Sequence, residues 1–326
     1  MQRKRDGLVP IGEVLSGLGG PVKAIRDASP QALHHFTQAD QVDQLVGASE
    51  ADPDLGFMAR LLALCSLPRT NPGDRKEYKR VNGPYTLYMN ATGGNKLPFG
   101  NLPRLLLAWV CTEAVRTQSR ELILGHSLAE FMRKLDILSS DSGGSWGIRT
   151  RLKNQMDRLF HASVQLIYEN ERSKAAISSF VADRTEFWWD PKRPDEPMLW
   201  ESKIYLGEAF FNEIIRHPVP IDMNILKAIK RCSLGLDLYL WIVYRTFSLT
   251  RPQRITWRQM YYQFGTDSSK ASDKFIVRNF RQNVLRELNK IKLAWPELNY
   301  ATAKGTLILS PSIPSIPPTG RLQLVK

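Results

Sequence analysis

Cysteine is scarce in this chain. Cys65, Cys111 and Cys232 are the only three in 326 residues; they stand far apart, form no CxxC pair and have no local histidine to complete a metal knuckle. Reduced, structural thiols in a cytoplasm are expected. Long hydrophobic runs are missing too. The most apolar stretch, Leu234–Leu249, falls short of the ~20 residues a spanning helix needs and carries Asp237 and Arg245, so it reads as a buried helix. The start MQRKRDGLVP is basic, but Glu13 and scattered glycines interrupt the residues after it, so neither a secretory core nor a transit helix is expected. No membrane partner is expected.

Catalytic patterns are absent as well. A rolling-circle nicking enzyme needs two histidines one residue apart plus a nucleophilic tyrosine. Here His34 and His35 are adjacent and point apart, and Tyr261–Tyr262 falls in a predicted scaffold helix. A nucleotide-driven motor needs GxxxxGK[ST], whereas Gly93-Gly94-Asn95-Lys96 lacks both that spacing and the hydroxyl residue after lysine. Acidic pairs such as Asp136 and Asp141 have no matching partners for two-metal chemistry. The expectation is a protein with no active site, cofactor or metal.

Positive charge is abundant: 45 Lys and Arg against 32 Asp and Glu, a formal net charge of +13. The surplus gathers on faces of predicted helices instead of filling a tail, which points to a nucleic-acid partner. The strongest segment is Lys270–Lys292, where Val277, Phe280, Val284, Leu288 and Ile291 recur at spacings of three and four and line one side. It holds seven basic residues (270, 274, 278, 281, 286, 290, 292) against two acidic ones, with Leu285 out of pattern. A helix fits the major groove, where forked donors and amides discriminate bases. Arg278, Asn279, Arg281 and Gln282 are the expected base readers. Lys270, Lys274, Arg286, Lys290 and Lys292 are the expected phosphate holders, with Ser269 or Ser272 as cap and backbone contact.

A weaker copy runs Ile148–His161. Ile148, Leu152, Met156, Leu159 and Phe160 make its apolar stripe, Arg151, Lys153, Asn154 and Arg158 point away, and Arg149 lies at the edge. Asp157 intrudes, so phosphate contact is its safer role. The hairpin tip near Arg172 and Lys174 is a candidate for the adjacent backbone or minor groove. Trp188, Trp189, Trp200 and Phe187 read as packing between domains, in a connector marked by Pro191, Pro194 and Pro197.

The order of elements repeats. Gly100–Thr117 is a long helix opened by Asn101 and Pro103; then come a strand at Glu121–Leu124, a short helix capped by Ser127 with Glu130, a Gly143–Gly144 turn and the basic helix from about Ser145. A hairpin comes next, Val164–Tyr168 with Ala176–Val181. The plan returns after Glu201: strand SKIYL, helix GEAFFNEIIR, Pro218 and Pro220 as punctuation, a helix at Asp222–Lys230 and buried Ser233–Ser248. Then come a strand at Arg254–Thr256, a helix at Trp257–Phe264, the basic helix, and a wing from Leu293–Tyr300 and Thr306–Ser310. Ahead of this, Leu55–Leu67 reads as one short amphipathic helix and Pro68–Pro84 as a basic linker. The expected architecture is α+β, two tandem winged-helix domains behind a poorly defined N-terminal segment. Residues 1–83 form that segment and linker, partly helical or flexible; 84–200 the first winged helix; 201–312 the second, DNA-binding one; and 313–326 a Pro-rich flexible tail.

LPFGNLPRLLLAWVCTEAVRTQSRELILG, SLAEFMRKL, VADRTEFWW, SLGLDLYLWIVYRTF, ITWRQMYYQFG and NVLRELNKIKLAWPELNY, in that order, resemble plasmid RepA-type replication initiators over roughly Tyr85–Ser310. The resemblance implies binding to directly repeated origin sites (iterons), opening of an adjacent AT-rich segment and recruitment of the host helicase and initiator machinery, with dimers that repress their own promoter. The family has no compact catalytic signature, so the candidate residues rest on the helix faces. A sequence-specific winged-helix autorepressor is the alternative, and a nuclease with an unrecognised site is the third reading.

Overall fold

The computed structural model describes residues 41–137, 147–189, 193, 195–266 and 268–317. Expectations for His34–His35 and the rest of residues 1–40, for Asp141, the Gly143–Gly144 turn and Ser145, for Pro191 and Pro194, and for the tail from 318 lie outside them.

The fold is α+β. In chain order it runs α1 (residues 41–50), β1 (Leu55–Ala59), α2 (Arg60–Leu64), β2 (Glu77–Asn82), β3 (Tyr85–Ala91), α3 (Leu102–Thr117), β4 (Glu121–Gly125), α4 (Leu128–Lys134), α5 (Ile148–Phe160), β5 (Ala162–Glu169), β6 (Lys174–Phe180), β7 (Ala182–Glu186) and β8 (Ser202–Leu206). It continues with α6 (Glu208–Arg216), β9 (Pro218–Asp222), α7 (Met223–Ala228), α8 (Ser233–Phe247), β10 (Gln253–Thr256), α9 (Trp257–Phe264), a 3-10 turn (Ser268–Ser272), α10 (Lys274–Ala294), β11 (Tyr300–Ala303) and β12 (Thr306–Leu309). Among the described residues no helix is long and apolar enough to cross a membrane.

Both halves use the expected helix–strand–helix–helix–hairpin plan, with different strand pairing. In the second, β10 joins the hairpin β11–β12 in a three-stranded sheet of order β10-β12-β11, an arrangement compatible with a winged helix. In the first, β4 does not join the hairpin. It pairs with β8 in a sheet of order β4-β8-β7, while the hairpin β5–β6 is widened by β3 and β2 into a four-stranded sheet. The SKIYL strand β8, placed after the expected 200/201 boundary, is therefore the central strand of a sheet whose other strands precede that boundary. One continuous apolar core runs beneath both halves.

Four sequence expectations are corrected. Leu55–Leu67 is not one helix: Leu55–Ala59 is a strand antiparallel to β9, and only Arg60–Leu64 is helical. Gly56 permits that pairing, because a Cβ there would come within 2.5 Å of the Met223 side chain and 3.0 Å of Thr112 Oγ1. Its partner strand contains Pro218 and Pro220, tolerated in a two-stranded sheet with an open side. The supposed linker contributes β2, whose Arg80 is buried. The start of the tail is pinned: Trp295 Nε1 donates to Ile313 O at 3.0 Å, Asn299 N donates to Ser312 Oγ at 2.9 Å, and Ser315 Oγ lies 3.2 Å from the buried Tyr239 hydroxyl. Leu293 and Ala294 also belong to α10 and not to the wing.

Candidate nucleic-acid interface

Helix α10 is built to hold one face still. Asp273, and not Ser272, caps it, accepting from Phe275 N at 2.8 Å and Ile276 N at 3.2 Å, so two otherwise orphan donors are satisfied. Its inner side buries Phe280, Val284, Leu288 and Ile291; Val277 is half-buried and packs on the same core, as does the out-of-pattern Leu285. Phe280 meets the Tyr261 ring edge-on at 5.2 Å, which places Tyr261 in the scaffold. Glu287 is 2% exposed, its carboxylate held by Lys290 Nζ at 3.3 Å and Arg286 Nε at 3.3 Å. Gly235 on α8 makes room for it: an added Cβ would lie 3.0 Å from Glu287 Oε2.

The outer side divides along the helix. Lys274, Arg278, Asn279, Arg281 and Gln282, in the N-terminal half, are all exposed. Of these only Arg281 has a partner among the described residues, its guanidinium lying 5.3 Å over the Trp257 ring. A guanidinium over a ring face keeps its in-plane donors free to form hydrogen bonds. The C-terminal half is spent internally. Arg286 Nη2 donates to Asn283 Oδ1 at 3.1 Å, Lys290 serves Glu287, and Lys292 donates to Leu298 O at 2.7 Å and to Pro296 O. Lys290 and Lys292 thus brace the helix and its exit. Lys270 and Ser272 are exposed on the 3-10 turn before the cap.

Helix α5 is shorter and less firmly ended; its N-cap is Gly147, with no side-chain cap. Leu152, Met156, Leu159 and Phe160 are buried as expected, and Ile148 is half-buried against the core. Arg151, Lys153 and Asn154 are exposed, whereas Arg149 is half-buried. Arg158 does not point away. It donates to Leu97 O at 3.2 Å, lies 5.2 Å over the Phe99 ring, and burial holds its guanidinium below the usual arginine range. Gln155, which drew no attention in the sequence, is buried and accepts from Phe99 N at 2.9 Å. Burial raises the Asp157 carboxyl above its ordinary value, against the opposing pull of Lys153 and His161.

The wings differ in charge. At the first tip Lys174, itself exposed, is paired with Glu169 at 3.1 Å, and Arg172 is exposed as well. The second tip carries exposed Lys304 beside Gly305, whose φ of +77° makes the tight turn. Lys304 was missed in the sequence because a single lysine in a short polar hairpin gives no periodic signal. In the connector, Trp189 packs 5.5 Å from Phe131 and Phe187 lies 6.1 Å from Phe160, so they complete the first core. Trp188 and Trp200 stay exposed.

Among solved structures, a selenomethionine derivative of domains 2 and 3 of RctB is similar at 14% identity and a TM-score of 0.48, covering 77% of this chain and 96% of that one. A second structure of RctB domains 2–3 gives 15% and 0.43, covering 76% and 94%. No curated protein matches the chain. The family described as plasmid encoded RepA protein matches residues 97–259, from just before α3 into α9; it takes in α5 and stops short of α10. That match spans half of the sequence, and the chain belongs to the plasmid-encoded RepA family of replication initiators.

Proposed function

We propose that this initiator works by gripping repeated origin sites with two linked heads, residues 84–200 and 201–312, and without catalysis of its own. The second head reads sequence and the first holds backbone. The observation that carries this reading is the exposed row Lys274, Arg278, Asn279, Arg281 and Gln282, mounted on a helix whose opposite side is locked by Phe280, Val284, Glu287, Leu288 and Ile291. Arg and Asn or Gln are the side chains that pair bidentately with guanine and adenine in the major groove. On α5 the exposed set is Arg151, Lys153 and Asn154, fit for phosphates. Lys304 at the second wing tip lies at the margin, suited to the flanking backbone.

Two modest heads in one chain gain avidity from effective concentration. Strand opening then draws on binding, bending and supercoiling, and the opened strands are handed to the host helicase in the cytoplasm. A footprint on the DNA flanking the gene tests the reading: periodic protection at direct repeats is expected, and uniform protection that tracks only salt would overturn it. Supplying the protein in trans to a replicon carrying those repeats separates initiation from repression. Failure to sustain the replicon despite binding would leave an autorepressor.

A further inference from the structure

The two heads are joined by buried, directional bonds instead of a flexible tether. Arg104 on α3 and Asp237 on α8, the helix that opens each helix–strand–helix–helix–hairpin unit, are 3% and 4% exposed and form a two-pronged ion pair, Nε–Oδ1 at 2.7 Å and Nη2–Oδ2 at 2.7 Å. The same guanidinium donates to Leu67 O at 2.8 Å and Pro68 O at 3.2 Å, so it fastens the segment between α2 and β2 as well. That segment in turn holds the second head's scaffold helix α9. Ser66 Oγ donates to Gln263 O at 3.2 Å, Gln263 Nε2 donates to Leu64 O at 3.3 Å, and the buried Arg80 donates from Nη1 to Tyr262 O at 3.1 Å. On the far side Thr112 Oγ1 of α3 accepts from Phe57 N at 2.9 Å, and the β1–β9 pairing ties in Pro218–Asp222 of the second head.

We infer that Arg104 and Asp237, with residues 64–80 wedged between the heads, are positioning residues that set one fixed spacing at which α5 and α10 meet DNA. A fork–fork pair has a single good geometry, and in a dry site any rotation of one head against the other strips two charges of their partners. The heads therefore sample one relative placement, and the protein measures the distance between the two halves of its site. This rests on the DNA-reading function proposed above.

The test uses the full chain on repeats carrying about 5 or about 10 extra base pairs, half a turn and one turn, between the two protected halves. The wild type is expected to lose at least about tenfold in affinity with either insert, because restoring the face does not restore the distance. In the double variant R104M/D237L, whose apolar pair keeps the site filled, the loss is expected to shrink to about threefold or less with the one-turn insert.

Head-to-head distance is measured separately, with spin labels at Glu171 and Glu297, both exposed, in a chain carrying Cys232→Ser. A narrow distribution is expected in the wild type and a broad one in the double variant. Recovery of wild-type binding at one full turn, or the same spacing profile and distance distribution in both proteins, would overturn the inference. If neither protein binds the repeats, the DNA-reading function fails, and the distances alone still decide whether the junction is rigid.

Discussion

The two heads share an element order, yet they use their basic helices differently. In the second head the strand between α8 and α9, β10, joins the hairpin sheet, and α10 runs for 21 residues behind a carboxylate cap. In the first, β4 is drawn into a sheet with β8 and β7, and α5 lasts 13 residues behind an uncapped Gly147. The same cationic pattern accordingly yields an outward row on α10, but on α5 it loses Arg158 to Leu97 O and the Phe99 ring. What a surface arginine does depends on whether tertiary neighbours offer it a carbonyl or a ring before DNA does.

The largest effect tests what the heads have in common. Replacing Asp237 alone by Leu strands a buried guanidinium, and a loss of about 3–5 kcal/mol in unfolding free energy is expected, measured by urea titration. The double variant R104M/D237L should regain most of it. If Asp237→Leu unfolds at the same urea concentration as the wild type, the junction is not where the heads are held.

Next comes the contrast between helices. Arg278→Ala is expected to cost on the order of 1 to 3 kcal/mol at a cognate repeat and less on random DNA, whereas Arg151→Ala should weaken both alike. Equal losses for Arg278→Ala on the two DNAs would reduce α10 to a phosphate clamp and erase the distinction between the heads.

Arg158→Ala sharpens the comparison from the other side. It should lower stability by about 1 kcal/mol through the lost hydrogen bond and leave the salt dependence of binding unchanged. By contrast, Lys153→Ala should reduce the salt slope by about one. Within α10, Lys290→Ala should leave that slope nearly intact, since its ammonium serves Glu287. A full unit of change there would return it to the DNA surface.

At neutral pH the core shared by both heads contributes the smallest effect, because its titration acts only in alkali. Burial pushes the thiols of Cys65 and Cys111 up to about 12 and raises the Tyr239 hydroxyl as well. These acids stay protonated in the fold and ionise at lower pH once unfolded. Their contribution is therefore complete below the ordinary thiol range and is lost as pH rises from about 9 toward about 12. Thermal melting across that window should show a falling midpoint. At neutral pH the half-buried Cys232 should react with a thiol reagent well before the other two.

Much of this was legible in sequence where a pattern is local. Ser127 caps α4 by accepting from Glu130 N at 3.1 Å, as the Ser-x-x-Glu spacing predicted, and the hairpin across Asn170–Lys174 forms between β5 and β6. The apolar stripes of α5 and α10 are buried in the expected register. The misreadings cluster where the partner lies far along the chain. Leu55–Ala59 is a strand because Pro218–Asp222 pairs with it, and a Pro/Gly-marked basic stretch becomes β2 because β3 offers an edge.

Local periodicity and net charge alone determined that this chain carries two amphipathic cationic helices within a repeated α+β plan, since which side of a helix is apolar depends only on residues three and four apart. Which cations reach solvent was decided by the tertiary structure. A guanidinium or ammonium goes to the nearest carboxylate, carbonyl or ring: Glu287 is a helical neighbour of Lys290 that only the fold buries, and Leu97 and Phe99 reach Arg158 only once the chain has folded. The rigid coupling of the heads has the same origin: Arg104 and Asp237 are 133 positions apart, and only packing brings them together where water is excluded.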